Sequence, residues 1–563
     1  TEHTETAHEY DVAIIGSGIA GSSLAMILAR QGLEVLLLEG GCHPRFAIGE
    51  SMILETSEMM RALAELYNVP ELAYFSSENY LPVIGSSHGV KRHFGFLHHQ
   101  EGQPTDATKA LQAVIPKQPH GHELHLFRQD SDAFLASSAV RYGVTLLQNS
   151  RVEAINVQKD GAVLTTLTST YRAKYVVDAS GLKSPLAEQY NLRMYNLKTH
   201  SRTIFTHMVN VGNIHDALLT TASTKLPFDM TEGTLHHVFA GGWLWVIPFN
   251  NHVNATNPLC SVGLMLDPRV HPQQAELSPE EEFNAFMARF PDIQSQFVNA
   301  KAVRPWVRTG RIQYSSKQVV GDRWALLGQA AGFVDPLFSK GLYTSLTCVS
   351  VLADLLLQAH QDGDYSRQRF RPLEDKTLAF IDTNDRLVAS AYKAFNDHSL
   401  WHSYSVLWLL GAYTELVKLM QARITATASG EQADYYQQTV ALELAGGGFM
   451  DFKRLADCID ARLDSTIITD EVQVRETTAF IQQTLAEVAW LPQAFRDVLG
   501  GKTYLPRRKF RAGLLRPEQG FMGTGRYRQH FFGTTDVPML IGSFLREKVR
   551  YSKAQSLKRQ AVH

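Results

Sequence analysis

The chain has 563 residues, too many for one ordinary hydrophobic core, so we expect several subdomains around a large site. Its 44% hydrophobic and 20% charged residues are typical of a soluble globular protein, and a formal net charge of -2 argues against nucleic-acid binding. The four cysteines lack metal-ligand or disulfide spacing, so we expect no metal site. Neither a signal peptide nor an apolar run of about 18 residues is visible, so we expect no membrane contact and a cytoplasmic location.

The first predicted elements form a βαβ unit. A buried strand over residues 10–15, a glycine turn and a helix over 22–30 precede a second strand over 35–38. Short apolar or alternating segments predict later strands at 144–148, 162–167, 175–177 and 324–327, and a strand of a second sheet at 239–247. A long helix is predicted over 341–358. From about residue 384 the helical spacing of apolar residues predicts helices through 389–395, 401–420 and 472–490.

The glycine turn carries a dinucleotide-binding pattern, Gly16-x-Gly18-x-Ala20-Gly21. The first glycine permits a tight turn, the second lets a diphosphate approach the backbone, and the third lets the helix pack on the strand. Glu39 ends the second strand about 20 residues later, where an acidic side chain can bind ribose hydroxyls. Both FAD and NAD satisfy this unit.

Three further segments favour FAD. Residues 43–51, which include Arg45, Gly49 and Ser51, form a compact turn where the isoalloxazine and ribityl chain lie in glutathione-reductase-type flavoproteins. Arg128 supplies a cation that could reach the diphosphate, and residues 178–181 end a strand in a small-residue turn suited to the adenine side. Each segment alone is also compatible with an ordinary turn or surface pair, but their order and spacing together indicate FAD.

These patterns predict an α/β fold with a glutathione-reductase-type, Rossmann-like FAD-binding domain, an interleaved β-sheet substrate domain and a mostly helical C-terminal region. We expect residues 1–390 to form the first two, and residues 391–563 to form the third. Within 1–390, nucleotide-binding segments are expected at about 10–60, 125–190 and 300–360. Substrate-sheet segments are expected at about 75–120 and 195–300.

The segment 242–248, Gly-Trp-Leu-Trp-Val-Ile-Pro, predicts an aromatic barrier. Trp243 and Trp245 are two residues apart on a strand, so both side chains project to the same face. Pro248 closes the strand. Such a wall could keep a reactive flavin adduct away from a substrate ring, although taken alone the segment also fits two core aromatics on a buried strand.

With these segments the chain resembles the flavin-dependent halogenases, and within them the branch that halogenates a pyrrole ring. The resemblance extends over at least residues 10–400 and is carried by segments 43–51, 89–96, 128–135, 199–202, 232–237, 241–252 and 332–342. It implies that a separate reductase supplies FADH2, which reacts with O2 to a flavin hydroperoxide. Chloride or bromide then gives hypohalous acid, and an active-site lysine directs the halogen to an electron-rich ring. Such chemistry belongs to antibiotic biosynthesis and other secondary metabolism.

The resemblance assigns the active-site lysine to Lys91. A neutral lysine amine is a nucleophile and its ammonium is a hydrogen-bond donor, so burial can set which form is present. Arg92 or His93 is the inward-facing residue if the strand register differs by one. The alternative is that Lys91 is an ordinary exposed strand lysine.

The resemblance also places the flavin ring and the halide beside the segment after Asp335. Asp335 and Leu342 are expected to border the flavin. Backbone N–H groups near Lys340 and Gly341 are expected to bind the halide, because a helix N-terminus suits an anion.

Two positions depart from the pattern. Phe338 stands where the tryptophan-halogenating branch has a catalytic glutamate, so Phe338 is expected to line the substrate cavity, which suits an already activated ring such as a pyrrole or phenol. Gln329 replaces an aspartate that many flavoproteins use on the ribityl chain, which predicts weak FAD retention. His236 and His237 are expected to point to opposite faces of a strand, with Glu232 orienting the inward one and no metal role.

Two other functions are compatible with parts of the sequence. A flavin-dependent aromatic hydroxylase uses the same oxygen chemistry, and a non-catalytic flavoprotein could keep the fold with a decayed site. The double-tryptophan strand and Lys91 favour the halogenase over both. The aromatic substrate could be free or tethered to a carrier protein, in which case the C-terminal region could be the docking surface.

Overall fold

The computed structural model describes residues 8–77, 79–115, 122–221, 225–430, 432–505 and 525–532, together with 542–543, 545–546, 548–550 and 552–553. The strands are β1 Glu9–Ile15, β2 Val35–Leu38, β3 Gly89–Lys91, β4 His93–His98, β5 Ala110–Val114, β6 Glu123–His125, β7 Thr145–Leu147, β8 Val152–Val157, β9 Ala162–Thr166, β10 Thr170–Asp178, β11 Arg193–Met194, β12 Arg202–Val209, β13 Thr234–Phe239, β14 Gly242–Pro248, β15 Cys260–Leu266, β16 Lys301–Ala302, β17 Val307–Arg308, β18 Ser315–Ser316, β19 Val320–Gly321 and β20 Trp324–Leu326.

The helices follow the predicted distribution, with the longest ones in the second half of the chain. They are α1 Ile19–Arg30, α2 Leu54–Tyr67, α3 Tyr80–Val83, α4 Arg128–Arg141, α5 Pro185–Gln189, α6 His215–Thr221, α7 Pro279–Met287, α8 Pro291–Phe297, α9 Gly341–Asp362, α10 Arg367–Ala394, α11 His398–Ser429, α12 Gln432–Ala441, α13 Met450–Ser465, α14 Glu471–Ala486, α15 Gln493–Leu499 and α16 Arg526–Phe532. Short 3₁₀ turns occupy Pro70–Tyr74, Ala107–Lys109, Met230–Glu232 and Gly328–Ala330.

The first sheet has the Rossmann-like arrangement that the sequence predicts. Its strands are ordered β19-β20-β10-β1-β2-β7, and β1 pairs in parallel with both β10 and β2. The central strands are apolar along their buried length, as expected for a parallel sheet covered on both faces. Helices α1 and α4 pack against this sheet. The predicted fold class is therefore confirmed.

The second sheet has the order β16-β12-β15-β14-β13-β4-β5, and within it β4 and β13 are parallel. The prediction of one strand over 239–247 is wrong. The chain reverses at Ala240 and Gly241, so that β13 and β14 form a hairpin. Gly241 has φ +80°, a backbone conformation that glycine adopts at little cost, which explains the tight turn.

A small antiparallel ribbon joins the two sheets beside the predicted lysine. Strand β3 pairs with β6, with Lys91 opposite Glu123 and Gly89 opposite His125. Ser51 makes an isolated bridge to His125, so the loop that contains Ser51 runs along the ribbon. This arrangement brings Lys91 next to the segment predicted to hold the flavin.

The C-terminal helices are part of the central structure rather than an appended layer. Helix α10 begins well before residue 384, where the sequence placed the start of the helical region. Helix α11 packs against α2 from the N-terminal part of the chain and against α14 and α15. It shares one hydrophobic core with Trp243 and Trp245. Residues 506–524, within the predicted helical region, lie outside the described residues.

Helix α9 departs from the expectation that no apolar segment is long enough to cross a membrane. By length and composition it meets that criterion, with a mean hydropathy of 1.4 over its most apolar window. However, 67% of that window is buried inside the protein, where α9 packs against α1, α2, α10 and α12. Burial in the core therefore accounts for its apolar composition.

Candidate active site

The glycine turn between β1 and α1 has the shape that a diphosphate needs. A Cβ added at Gly16 would lie 2.6 Å from the carbonyl oxygen of Ala179, and one at Gly21 would lie 2.0 Å from that of Gly16. At Gly18 the nearest heavy atom would be 3.8 Å away, so this side of the turn is open. Gly18 caps α1 without a side-chain hydrogen bond, and Ala20 lies in the first turn. The open helix N-terminus fits an anion.

Glu39 lies at the end of β2 beside this turn. Its carboxylate accepts hydrogen bonds from the backbone N and Oγ of Ser17 at 3.0 and 2.7 Å, and it lies 3.3 Å from Nε of Arg45. Burial tends to raise the pKa of Glu39, but Arg45 and hydrogen bonds from Gly41 and Ser17 hold it below its ordinary value. Glu39 is therefore an ionised acceptor, which fits the ribose hydroxyls of FAD.

Arg128 is hydrogen-bonded to the loop of residues 43–51 and holds it in place. Its buried guanidinium pairs with Asp132 through two contacts at 2.7 and 2.9 Å and donates to the carbonyl oxygens of Ile48 and Gly49 at 2.6 and 3.1 Å. Gly49 has φ +89° at this contact. Most donors of Arg128 are therefore already used within the protein, and its contact with a diphosphate stays a prediction.

Lys91 is completely buried, with 0% of its surface exposed. Its Nζ donates hydrogen bonds to Oγ of Ser51 at 2.9 Å and to the carbonyl oxygen of Met52 at 3.0 Å. The same nitrogen lies 3.3 Å from the ring centroid of Phe94. The neighbouring Arg92 instead pairs with Glu232 and is partly exposed. Lys91 is thus the inward basic residue of β3, and it is not an exposed strand lysine.

The hydroxyl of Ser51 continues a chain of hydrogen bonds away from Lys91. It lies 2.8 Å from Oγ1 of Thr234, which lies 2.9 Å from Nε2 of His125. Nδ1 of His125 lies 2.8 Å from the carbonyl oxygen of Pro248, so Nδ1 is the protonated ring nitrogen. Burial lowers the pKa of His125 to about 3, which keeps it neutral. The hydroxyl of Ser51, which was predicted to bind the cofactor, is therefore hydrogen-bonded to Lys91 and Thr234.

The buried environment changes the protonation of Lys91. Desolvation lowers the pKa of Lys91 well below its ordinary value, and the nearby carboxylates of Glu123 and Glu55 offset this only in part. Burial raises the pKa of Glu123 to about 7, although a hydrogen bond from Ser57 at 2.8 Å acts in the opposite direction. Burial therefore favours the neutral amine over the ammonium. With two N–H bonds donated to Ser51 and Met52, such an amine has a free lone pair.

The two tryptophans of the predicted wall lie on one face of β14, and their role as a barrier stays a prediction. Trp243 and Trp245 are both buried on the same face of β14, with ring centroids 5.9 Å apart. The indole nitrogen of Trp243 lies 3.3 Å from Oδ1 of Asp335 and 3.1 Å from the hydroxyl of Tyr392, and that of Trp245 donates to Ser261 at 3.1 Å. Both rings are therefore fixed by hydrogen bonds as well as by packing.

Asp335 contacts this wall through the indole nitrogen of Trp243. Its carboxyl group accepts hydrogen bonds from the hydroxyls of Tyr392 and Ser201 at 2.8 and 2.9 Å and from the backbone N of Leu337 at 3.0 Å. Burial raises the pKa of Asp335 to about 6 despite these donors. The sequence placed Asp335 against the flavin, but its side chain is occupied by protein donors.

An apolar cavity of about 90 Å³ is lined in part by Phe94, whose ring also contacts Nζ of Lys91. It is lined by Ile53, Leu54, Glu55, Phe94, Ala113, Val114, Ile115, Phe338, Lys340, Trp408, Leu409, Ala412, Tyr413, Leu416, Phe495 and Leu505. Phe338 stacks on Trp408 with ring centroids 4.9 Å apart, as part of the cavity wall that the sequence assigned to it. A cavity that accepts benzene measures about 150 Å³, so a substituted ring needs Phe94 or its neighbours to move.

Lys340 lies at this cavity, but its side chain is not free to bind a halide. Its Nζ lies 3.1 Å from Oε1 of Glu55 and 3.2 Å from Oε2 of Glu415, and all three side chains are buried. Gly341 begins α9, and a Cβ added there would meet no heavy atom within 4 Å, while Leu342 is half-buried. Halide binding by backbone N–H groups at this helix start stays a prediction, and the ammonium of Lys340 is excluded from it.

The two adjacent histidines point to opposite faces of β13, as predicted. His236 stacks on Phe96 with ring centroids 4.4 Å apart, on the side of the tryptophan wall. His237 lies on the other side, and burial lowers the pKa of His236 to about 3 and that of His237 to about 4. The prediction that Glu232 orients one of them is wrong, because Glu232 pairs with Arg92.

Comparisons with known proteins agree with this geometry. The family model of tryptophan halogenases matches residues 98–456, and that of NAD(P)-binding Rossmann-like domains matches residues 14–50. The chain is 40% identical over 494 residues to the tetracycline 7-halogenase of Kitasatospora aureofaciens, covering 86% of this chain and 87% of that one. It is 43% identical over 435 residues to the monodechloroaminopyrrolnitrin halogenase PrnC of Pseudomonas fluorescens, covering 76% of each. The crystal structure of the halogenase PltM in complex with phloroglucinol and FAD superimposes with a TM-score of 0.83 at 34% identity, over 88% of this chain and 99% of that one.

Proposed function

Because the chain belongs to the flavin-dependent halogenase family, we propose that it installs chloride or bromide on an electron-rich aromatic ring of the pyrrole or phenol type, and that Lys91 directs the halogen. One observation carries the proposal. A completely buried lysine nitrogen lies between a segment of the FAD-binding loop and the ring of Phe94, which lines an apolar cavity.

Reduced FAD, O2 and a halide together supply an electrophilic halogen when they are bound, so the enzyme depends on a separate flavin reductase. The residues around the glycine turn fit the adenosine and diphosphate parts of FAD. Gly18 leaves room for the diphosphate, and Glu39 accepts hydrogen bonds from the ribose. We assign the halide to the backbone N–H groups at the start of α9, beside Gly341.

Lys91 then acts in one of its two protonation states. As a neutral amine, it attacks the halogen of hypohalous acid through its lone pair; a nitrogen–halogen bond forms and water leaves. As an ammonium, it donates a hydrogen bond to the oxygen of hypohalous acid while the ring attacks the halogen. Ser51 and the carbonyl of Met52 hold the nitrogen in place for either role. The wall of Trp243 and Trp245 excludes the substrate ring from the cofactor side.

A free substrate is favoured over a carrier-bound one. The relatives at 40% and 43% identity are named for tetracycline and monodechloroaminopyrrolnitrin, whereas a relative named for a pyrrole on a peptidyl-carrier protein is 25% identical over 65% of this chain. Helices α11 and α15 line the cavity, so part of the C-terminal region contributes to the predicted substrate site, and a carrier-docking surface in that region stays a prediction. Free thiols at all four cysteines support a cytoplasmic location.

The test combines the protein with a flavin reductase, NADH, FAD, either halide and a panel of arylpyrroles and phenols, with mass spectrometry of the products. We expect a mass increase equal to one halogen replacing one hydrogen, with the isotope pattern of chlorine or bromine. Oxygenated products without halogen would indicate an aromatic hydroxylase instead. Flavin binding with no turnover of any aromatic compound would indicate a non-catalytic flavoprotein.

A further inference from the structure

The cavity wall contains a buried charge cluster that the role of Lys91 does not use. Glu55, Lys340 and Glu415 come from three distant parts of the chain and meet with Nζ of Lys340 at 3.1 Å from one carboxylate and 3.2 Å from the other. Their relative exposures are 5%, 3% and 0%. Two carboxylates sharing one ammonium carry an excess negative charge, and a structural ion pair would need only one of them.

The two carboxylates have different surroundings. Glu415 does not line the cavity, and its Oε2 also accepts a hydrogen bond from the backbone N of Ala445 at 2.6 Å. Burial raises the pKa of Glu415, which favours its protonated form. Lys340 then remains opposite Glu55 as its counter-ion.

Glu55, by contrast, is one of the residues that line the cavity. It stands in the first turn of α2, directly after Ile53 and Leu54, which also line the cavity. Most of the lining is apolar or aromatic, so a polar group on a bound ring has few acceptors within reach. An O–H or N–H group that did not meet Glu55 would lose its hydrogen bond to water without compensation.

We propose, resting on the proposed function, that Glu55 is a catalytic residue that accepts a hydrogen bond from an O–H or N–H group on the substrate ring and takes up that proton during halogenation. The substrate class is thereby narrowed to phenols, pyrroles and anilines with a free donor. Lys340 acts as a positioning residue, because its Nζ contacts Oε1 of Glu55 at 3.1 Å and fixes that side chain at the cavity.

The step balances with hypohalous acid as the halogen donor. The O–H or N–H bond breaks, its proton passes to Glu55, and the electron pair moves through the ring to form the carbon–halogen bond. The oxygen–halogen bond of hypohalous acid breaks, and hydroxide leaves as water with the proton of the halogenated ring carbon. As aromaticity returns, the heteroatom regains its proton from Glu55.

This role replaces the acid that the sequence lacks at Phe338. Phe338 and Glu55 line the same cavity, and Phe338 immediately precedes the segment that contains Lys340. A carboxylate elsewhere in the cavity lining meets the chemical need while Phe338 adds aromatic surface.

The test compares a phenol with its O-methyl ether, and an arylpyrrole with its N-methyl derivative, in the wild type and in Glu55→Gln. The wild type is expected to halogenate the free donor about 10² to 10⁴ times faster than the methylated compound, the range that general bases contribute. In Glu55→Gln this ratio is expected to fall toward one while flavin oxidation continues. If the ratio were set by the size of the methyl group, it would persist in the variant, and that result would overturn the proposal.

Glu58→Gln is the matched control. Glu58 lies one turn further along α2, is buried and pairs with Arg423 of α11, so its loss disturbs the same helix interface without touching the cavity. Glu58→Gln is expected to keep the wild-type ratio even if it melts earlier. Should Glu55→Gln fail to fold, a wild-type ratio near one would by itself refute the role of Glu55. Halogenation of none of the compounds by the wild type would instead refute the proposed function.

Discussion

Replacing Lys91 with methionine or alanine separates halogen transfer from the rest of the cycle. Nζ of Lys91 contacts Oγ of Ser51, the carbonyl oxygen of Met52 and the ring of Phe94, and none of these contacts involves the glycine turn. Methionine matches the lysine stem as far as Cε, with sulfur in place of Cδ, and lacks the amine. Alanine removes both the amine and the packing of the stem.

The size of the effect follows from these contacts. Ser51 keeps its hydrogen bond to Thr234 in either variant, whereas the buried carbonyl of Met52 loses a donor, which costs about 1–3 kcal/mol. Release of a desolvated amine offsets part of this loss in the methionine variant. Alanine adds a cavity, for which large-to-small changes cost about 2–5 kcal/mol. We expect both variants to lose at least about 10²-fold in halogenation, the lower end for a general acid–base residue.

The assay follows three quantities in the same reaction: halogenated product, flavin oxidation and hydrogen peroxide. In both variants flavin oxidation is expected to continue and to release hydrogen peroxide in place of product. The control is Arg92→Met, because Arg92 is the next residue along the chain and pairs with Glu232 away from the cavity. Halogenation at the wild-type rate in Lys91→Met would refute the assignment of the lysine.

Two further predictions test the cofactor turn and the wall. Gly18→Ala is expected to melt at the wild-type temperature without FAD, because its Cβ meets nothing closer than 3.8 Å. The same variant is expected to bind FAD more weakly in a fluorescence titration. In Gly16→Ala the Cβ lies 2.6 Å from the carbonyl oxygen of Ala179, so that variant is expected to lose stability as well. Burial raises the pKa of Asp335 from 3.8 to about 6, so its protonated form favours the folded state. Its contribution to the free energy of unfolding is present below pH 4 and is lost as the pH rises through 6, by about 3 kcal/mol at most. Denaturant titrations of Asp335→Asn between pH 4 and 7 are expected to show a smaller loss of stability with rising pH than the wild type, and equal slopes would contradict this assignment.

Local patterns were sufficient for the nucleotide-binding half of the fold. The βαβ unit is encoded in consecutive residues, and β2 occupies the predicted residues 35–38. The β13–β14 hairpin was missed because the apolar run from Phe239 to Ile247 continues through the short Ala240-Gly241 turn, whereas the preceding part of β13 carries two histidines. The predicted strand over 239–247 therefore followed the composition of the segment rather than its turn chemistry.

The candidate site was predictable from the sequence only where its residues lie close together along the chain. Lys91 and the tryptophan wall each lie on a single strand with a distinctive order of residues. The Glu55–Lys340–Glu415 cluster has no such signal, because Lys340 is 285 residues from Glu55 and 75 from Glu415 along the chain. Neither glutamate stands out in its own helix, and only the packing of α11 against α2 brings them together.

The resemblance to the tryptophan-halogenating branch places a catalytic glutamate at position 338, but its replacement by phenylalanine does not by itself mean that the site lacks a proton acceptor. What halogenation requires is a proton acceptor in contact with the bound ring, and any wall of the cavity can supply it. Phe338 widens the aromatic surface against Trp408, while Glu55 approaches from α2 with Lys340 as its counter-ion. If Glu55 is that acceptor, the enzyme is expected to prefer rings that bear their own acidic O–H or N–H.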